Sequence, residues 1–482
     1  MSKIFKDTLY FLSGTIFPSL ISFISVPIMA RYFLPSEYGQ NAIIDTSFSY
    51  VSIVLFGFIS SLVWRFYNEY KNENRISVFW ALIFLFIKIS CLIILIGIVI
   101  IVFIPLDSYI KYMILVKAGA LIISSITSIF CIILRLEGDV LFYNIIQCYN
   151  SLGSFMLLLF MTKVLKMRNI SMYFTGLIIP IPVLFFLLYR NRNIKLIKLQ
   201  KKECVDSLKV FLSYGGIAIF STLLQVILDS SDRYMIKYYY DFELTGIYDK
   251  LYSISNKIMD VFVSVFMNLF SPYIYKALSD KTYKNLYKQL IPFFCGIFFP
   301  LLFYYTIFSK TICSILLPET YVNYSYLLPI ISGGYILIMF SSFGELVIKF
   351  TKKYYKVTVG FLLSLITNFI INILLIPKIG ICGAAIGTAA SYLVLLLFFF
   401  IVSDLISFKY ILFNKARQNF FYLIPFIEYF IFCLYQKYVE SNIIYTVILA
   451  VIFALFYYIP FGYYFLIKNK DFTKLFEKEV LS

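Results

Sequence analysis

The residues of this chain that could do chemistry are a few charges set inside long apolar runs. Lys88 stands between Ile87 and Ile89, and Lys257 and Asp260 stand in the run that follows Ile247. An ionisable group at mid-depth in a bilayer costs at least about 2.5–3.5 kcal/mol and as a rule faces a cavity or a partner. At about 1.5 Å per helical residue, Lys88 lies about 16 Å below Ser77, near mid-membrane. Lys250, Ser253, Lys257 and Asp260 recur at helical spacing, as do Asn41, Asp45, Ser49 and Ser52. Two such polar stripes would make two walls of a water-filled path, in which Asp45 and Asp260 could accept a proton or an ion.

Plainer readings stand beside these. Lys257 and Asp260, at i and i+3, could simply neutralise each other, and Asp229 and Arg233, at i and i+4, could pair at the interface. Lys117 and Lys250 lie close enough to span ends to snorkel. Glu345 and Lys349 read as a structural pair. Glu428, in the middle of a late apolar run, has no evident role, whereas Lys88 has no acidic residue within a turn of it.

Other chemistry is excluded. There is no His, hence no imidazole acid/base catalysis, Ser-His-Asp triad or HExxH zinc site. The eight Cys are scattered singly without a CxxC, as packing residues would be. No GxxxxGK[ST] loop occurs. We expect no cofactor, no metal and no enzymatic activity.

The elements that must position these charges follow from composition. The chain has 482 residues, of which 61% are hydrophobic and only 14% charged, with mean hydropathy +0.88. Polar residues this scarce cannot cover a soluble exterior, so the chain is a multi-spanning membrane protein. Fourteen candidate spans follow from the apolar runs, near 8–30, 41–63, 77–104, 113–134, 140–161, 172–188, 210–228, 247–270, 289–308, 326–348, 357–376, 384–403, 420–436 and 443–467. Trp64, Trp80 and many Tyr fall near span ends, as an aromatic belt requires.

With a cytoplasmic N-terminus, 28 of the 42 Lys and Arg fall on the inner side, 10 on the outer side and four within spans. The positive-inside rule then puts both termini in the cytoplasm. Most of the net +17 therefore marks topology and anionic lipid; nucleic-acid binding is the weak alternative, and no nucleic acid is expected as a partner. One outer segment, 162–171, runs against the rule with Lys163, Lys166 and Arg168.

The chain also carries an internal echo. Phe11-Leu12-Ser13-Gly14 is followed by Arg31-Tyr32 and Glu37-Tyr38-Gly39. Phe211-Leu212-Ser213 is followed by Arg233-Tyr234 and Glu243-Leu244-Thr245-Gly246. The fold expected is all-α and polytopic, with about 14 transmembrane helices in two six-helix lobes of parallel repeat plus two extra C-terminal helices. The domains expected are 1–209 with a basic linker, 210–404, and 405–482. Pro35 and Gly39 read as helix breakers, Ile376-Pro377 as the stop of the eleventh span, and Gly380 to Gly387 as small packing residues of the twelfth.

Four segments carry a resemblance to a known family. They are Arg31 to Gly39, Trp64 to Tyr70, Asp232 to Ile236 with Gly246-Ile247-Tyr248, and Asn372 to Gly387. In order and spacing the chain resembles the polysaccharide and O-antigen flippases of the multidrug/oligosaccharidyl-lipid/polysaccharide transporter superfamily. The resemblance implies two lobes around a central cavity and alternating access. It also implies an undecaprenyl-pyrophosphate-linked oligosaccharide, of O-antigen or capsule, carried from the cytoplasmic to the periplasmic leaflet of the bacterial inner membrane. In that setting Lys88 and Lys257 would meet the pyrophosphate, with Arg31 and Arg233 near the outer exit. A polysaccharide polymerase and a chain-length regulator are candidate partners, besides membrane lipid. The alternatives are a drug/cation antiporter of the same fold, and a membrane polysaccharide polymerase or ligase. The first would favour cavity carboxylates over Lys88; the second would need a long external loop, which the chain lacks.

Overall fold

Within a bilayer only a closed hydrogen-bond ladder satisfies the backbone, and the apolar runs achieve it as helices. A computed structural model describes residues 17–192, 211, 216, 219–405, 416–438 and 443–464, without the side chains of 260–269, 272, 416–422 and 436–438. No strand occurs among the described residues. Ten of the described helices are long and apolar enough to cross a membrane. The all-helical, polytopic expectation therefore holds. The start of the first expected span and most of the basic linker lie outside the described residues.

The helices in order are α1 (Phe17–Met29), α2 (Pro35–Ser52), α3 (Phe58–Asn72), α4 (Ile76–Phe103), α5 (Ser108–Leu136) and α6 (Val140–Lys163). Then come α7 (Ser171–Ile178), α8 (Pro180–Arg190), α9 (219–230), α10 (Asp232–Tyr239), α11 (Phe242–Ser279) and α12 (Tyr283–Leu316). The rest are α13 (Glu319–Val322), α14 (Leu327–Phe350), α15 (Tyr354–Ile379), α16 (Ile381–Val402), α17 (Ala416–Tyr438) and α18 (Ile443–Tyr463). A π turn at Ile53–Gly57 joins α2 and α3 into one 38-residue span. Its extra residue re-aims the helix face. Accordingly the polar stripe of α2 gives way to the apolar face of α3, where Ile59, Leu62, Phe66 and Tyr70 are buried.

The chain packs as two compact units, Met1–Asp249 and Lys250–Ser482. The division falls inside α11 because residues 229–249 are tied by polar contacts to α2, as described below. In the first unit α3, α4 and α5 share a core of Ile59, Leu62, Phe79, Leu82, Ile83 and Ile129. Trp80 belongs to this core, stacked on Phe130 at 5.4 Å, rather than to an aromatic belt. Trp64 does lie exposed, with Arg135 over its ring at 5.1 Å.

In the second unit α16 packs against both α14 and α15. The small residues expected in the twelfth span allow it toward α15, and Gly344 of α14 allows it on the other side. A methyl on Gly383 would sit 2.6 Å from the Leu375 carbonyl carbon, and one on Gly344 would sit 2.8 Å from the Phe399 oxygen. Ala384 and Ala385 are buried between their neighbours. Pro377 does not stop α15. The helix runs through it to Ile379 and ends at Gly380, whose φ of 64° only glycine adopts without strain. The expected Glu345–Lys349 pair forms at 2.6 Å.

The α17–α18 hairpin docks on α12. Pro300 lacks the N–H that the Gly296 carbonyl would otherwise accept. Tyr457 of α18 donates its hydroxyl to that carbonyl at 2.8 Å, and Tyr458 donates to the next, Ile297, at 2.8 Å. Gly296 also makes room for the Phe461 ring.

Candidate functional site

The two repeated Glu-x-(x)-Gly segments are brought together within the first unit. A methyl on Gly39 would stand 1.8 Å from the carbonyl oxygen of Phe242, and one on Gly246 would stand 1.8 Å from the carbonyl oxygen of Pro35. Pro35 and Phe242 each open a helix, α2 and α11, and each glycine lies four residues on. The first turns of the two helices therefore cross backbone to backbone, in a reciprocal contact. Gly39 is an approach point within a helix, not a breaker. Asp241 caps α11 by accepting from Leu244 N at 2.9 Å, and Glu37 accepts from Leu34 N at 3.1 Å.

Around this crossing lies a network of charges. Arg168 donates to buried Glu37 at 2.7 Å and lies over the Tyr109 ring at 5.3 Å. The cationic segment 162–171, which runs against the sidedness expected from loop charge, thus holds the counter-charge of a buried acid. Asn169, fully buried, donates to the Glu37 carbonyl (3.1 Å) and to Asn41 Oδ1 (3.1 Å) and accepts from Tyr109 (2.7 Å). One helical turn along α2, Asp45 pairs with Lys117 of α5 at 2.6 Å, and Lys117 lies over the Tyr173 ring at 5.0 Å.

Arg233 is buried. It donates to Asp249 (2.9 Å), to Asp232 (3.1 Å) and to the backbone carbonyl of Asp229 (2.9 Å). Tyr248 donates to the other oxygen of Asp232. Burial pushes the Asp232 carboxyl up, while Arg233 and the Tyr248 hydroxyl pull it down. Tyr50 of α2 meets Ser230 at 3.0 Å, and Ser47 meets Tyr234. Residues 229–249 are therefore bound to α2 by two hydroxyl contacts and the backbone crossing, while their charges are paired among themselves.

The expected site residues separate into two sets. Arg233 and Asp45 are engaged in this network of the first unit. Asn41 is buried in it, and Ser49 bonds back to the Asp45 carbonyl at 2.7 Å. Arg31 is exposed in the α1–α2 turn. Lys88 is exposed on α4 beside Ile89 and Leu92, with no ion pair among the described residues. In the second unit Lys257 is half-buried on α11, and the Asp260 side chain lies outside the described residues.

The same unit holds a buried polar cluster missed from sequence. Asn372 donates to Asn368 (3.0 Å), and Asn368 donates to Thr388 (3.3 Å). The signal was present as two Asn at i and i+4 in an apolar run. Gly387 makes room for Asn372, since a methyl there would stand 2.1 Å from its Oδ1.

Comparison with solved structures gives the fold. The chain is similar to the lipid II flippase MurJ in an inward closed conformation, with TM-score 0.72 over 98% of this chain and 100% of that one at 15% identity. It is also similar to a mutant of the Vibrio cholerae MATE transporter VcmN, with TM-score 0.59 over 83% and 95% of the two chains at 13% identity. An inward-facing multidrug-resistance MATE family transporter of the MOP superfamily gives TM-score 0.60 over 83% and 94% at 14% identity. Likeness at these identities shows the fold, which is that of polytopic transporters. No curated protein matches the chain. The family model described as polysaccharide biosynthesis protein matches residues 28–326, and the chain belongs to that family.

Proposed function

We propose that this protein carries lipid-linked oligosaccharide units across the bacterial inner membrane by alternating access and catalyses no reaction on them. The unit proposed is an undecaprenyl-pyrophosphate-linked O-antigen or capsule repeat, moved from the cytoplasmic to the periplasmic leaflet. The observation that carries this reading is a polysaccharide-biosynthesis family match meeting the whole-chain fold of a lipid II flippase. Loop charge supports cytoplasmic termini. Lys88, exposed and at mid-depth, and Lys257 are the proposed pyrophosphate contacts, with Arg31 at the exit. Arg233, held by two carboxylates, is proposed to reach substrate only if the network opens. The antiporter alternative is less well served, because Asp45, Asp232 and Asp249 are already held by Lys117 and Arg233.

Deleting the gene and profiling glycans by leaflet tests the reading. Single lipid-linked units should accumulate on the cytoplasmic face. Their accumulation on the periplasmic face would instead mark a polymerase.

A further inference from the structure

Glu428 sits at the middle of the 23-residue α17 and is 2% exposed. Its Oε2 lies 2.8 Å from the Tyr304 hydroxyl of α12, and its Oε1 has no hydrogen-bond partner among the described residues. No cation pairs with it among those residues. The groups packed around this interface are Tyr304 and Phe308 of α12, Phe432 and Tyr435 of α17, and Phe453 and Tyr458 of α18. The Tyr458 hydroxyl is spent on Ile297 O, and Lys310 of α12 is exposed. An ionised carboxyl here would carry a desolvation cost of several kcal/mol with nothing to offset it, and buried groups in that position neutralise instead.

Hydrogen-bond counting agrees. The Tyr304 oxygen is also 3.2 Å from the Phe453 carbonyl, and a tyrosine has one hydroxyl hydrogen. That hydrogen cannot serve both acceptors. With a proton on Glu428 Oε2, the carboxyl donates to Tyr304, Tyr304 donates to Phe453, and both contacts are satisfied in one chain.

We propose that Glu428 is a proton-binding site, holding a neutral carboxyl whose proton fastens the α17–α18 hairpin to α12. Loss of the proton leaves a bare charge that only water can relieve, so the hairpin must part from α12 to ionise it. A cleft of about 310 Å³, lined by Tyr304, Phe308 and Thr311 on one side and Thr446 and Ala450 on the other, runs along the same seam. Docking binds one proton and parting releases one. Raising the pH therefore favours the parted state, by up to about tenfold per pH unit. The proposal does not depend on what the protein carries.

The test uses the full-length protein in lipid nanodiscs. Infrared spectra at neutral pH should show a protonated carboxyl band that shifts in D₂O and is lost in Glu428→Gln; its absence from the wild type overturns the proposal. Spin labels at Ile315 of α12 and Ile448 of α18, in a background without other cysteines, read the docking. Their separation should lengthen with pH in the wild type and stay short at every pH in Glu428→Gln and Glu428→Leu. A wild type that does not move, or neutral variants that move as it does, overturns the proton-linked docking.

Discussion

Charge in this protein sorts by whether a partner is at hand, and the two outcomes predict different failures. Arg233 is surrounded by Asp232 and Asp249 in a buried setting. Removing one member of such a group leaves the others uncompensated, at about 3–5 kcal/mol. Arg233→Ala should therefore lower the abundance of folded protein in the membrane, seen as loss of a monodisperse species after extraction. Lys88 is exposed, with no ion pair among the described residues, so Lys88→Ala should leave abundance unchanged and abolish glycan export. Lys257→Ala should behave as Lys88→Ala does; unaltered surface glycan in both variants would remove the proposed pyrophosphate contacts. Position along the helix was legible for these residues, because counting along an apolar run measures it. Pairing was not. Asp45 meets Lys117 across two helices, and nothing in the spacing of one run says which way another turns.

Helix ends show the same division between what a local pattern can and cannot say. The apolar runs located every described span, yet Gly39 and Pro377 were read as stops. Gly39 instead lets a second backbone approach, and the α15 ladder continues past Pro377 to a glycine in the left-handed region. The role of Gly39 depends on Phe242, about 200 residues away, and could not be seen locally. The reciprocal crossing makes a sharp prediction. Gly39→Ala and Gly246→Ala should each destabilise by at least about 1–3 kcal/mol, since the added methyl meets backbone rather than a flexible side chain. Together they should cost less than the sum, because the first methyl already forces the two helices apart. Thermal unfolding of the three variants by native-tryptophan fluorescence would show it, and strict additivity would place the two glycines in separate contacts.

For the molecule in its membrane, the sidedness read from charge can be checked directly. A cysteine at Lys166 should react with an impermeant thiol reagent from outside, and one at Lys352 only after permeabilisation. Both positions lie at turns with positive φ, where a changed side chain disturbs no helix ladder. The reverse pattern would invert the topology and with it the proposed direction of transport. The Gly296 carbonyl has a consequence of another kind. Its proper donor is missing because of Pro300, and the substitute, Tyr457, comes 161 residues later in the chain. While the protein is being made, α12 must enter the bilayer well before that hydroxyl exists, with one polar group left facing oil or a trapped water. Helix α12 is thus completed only when α18 arrives, and a ribosome stalled before α18 would leave an unfinished helix behind it.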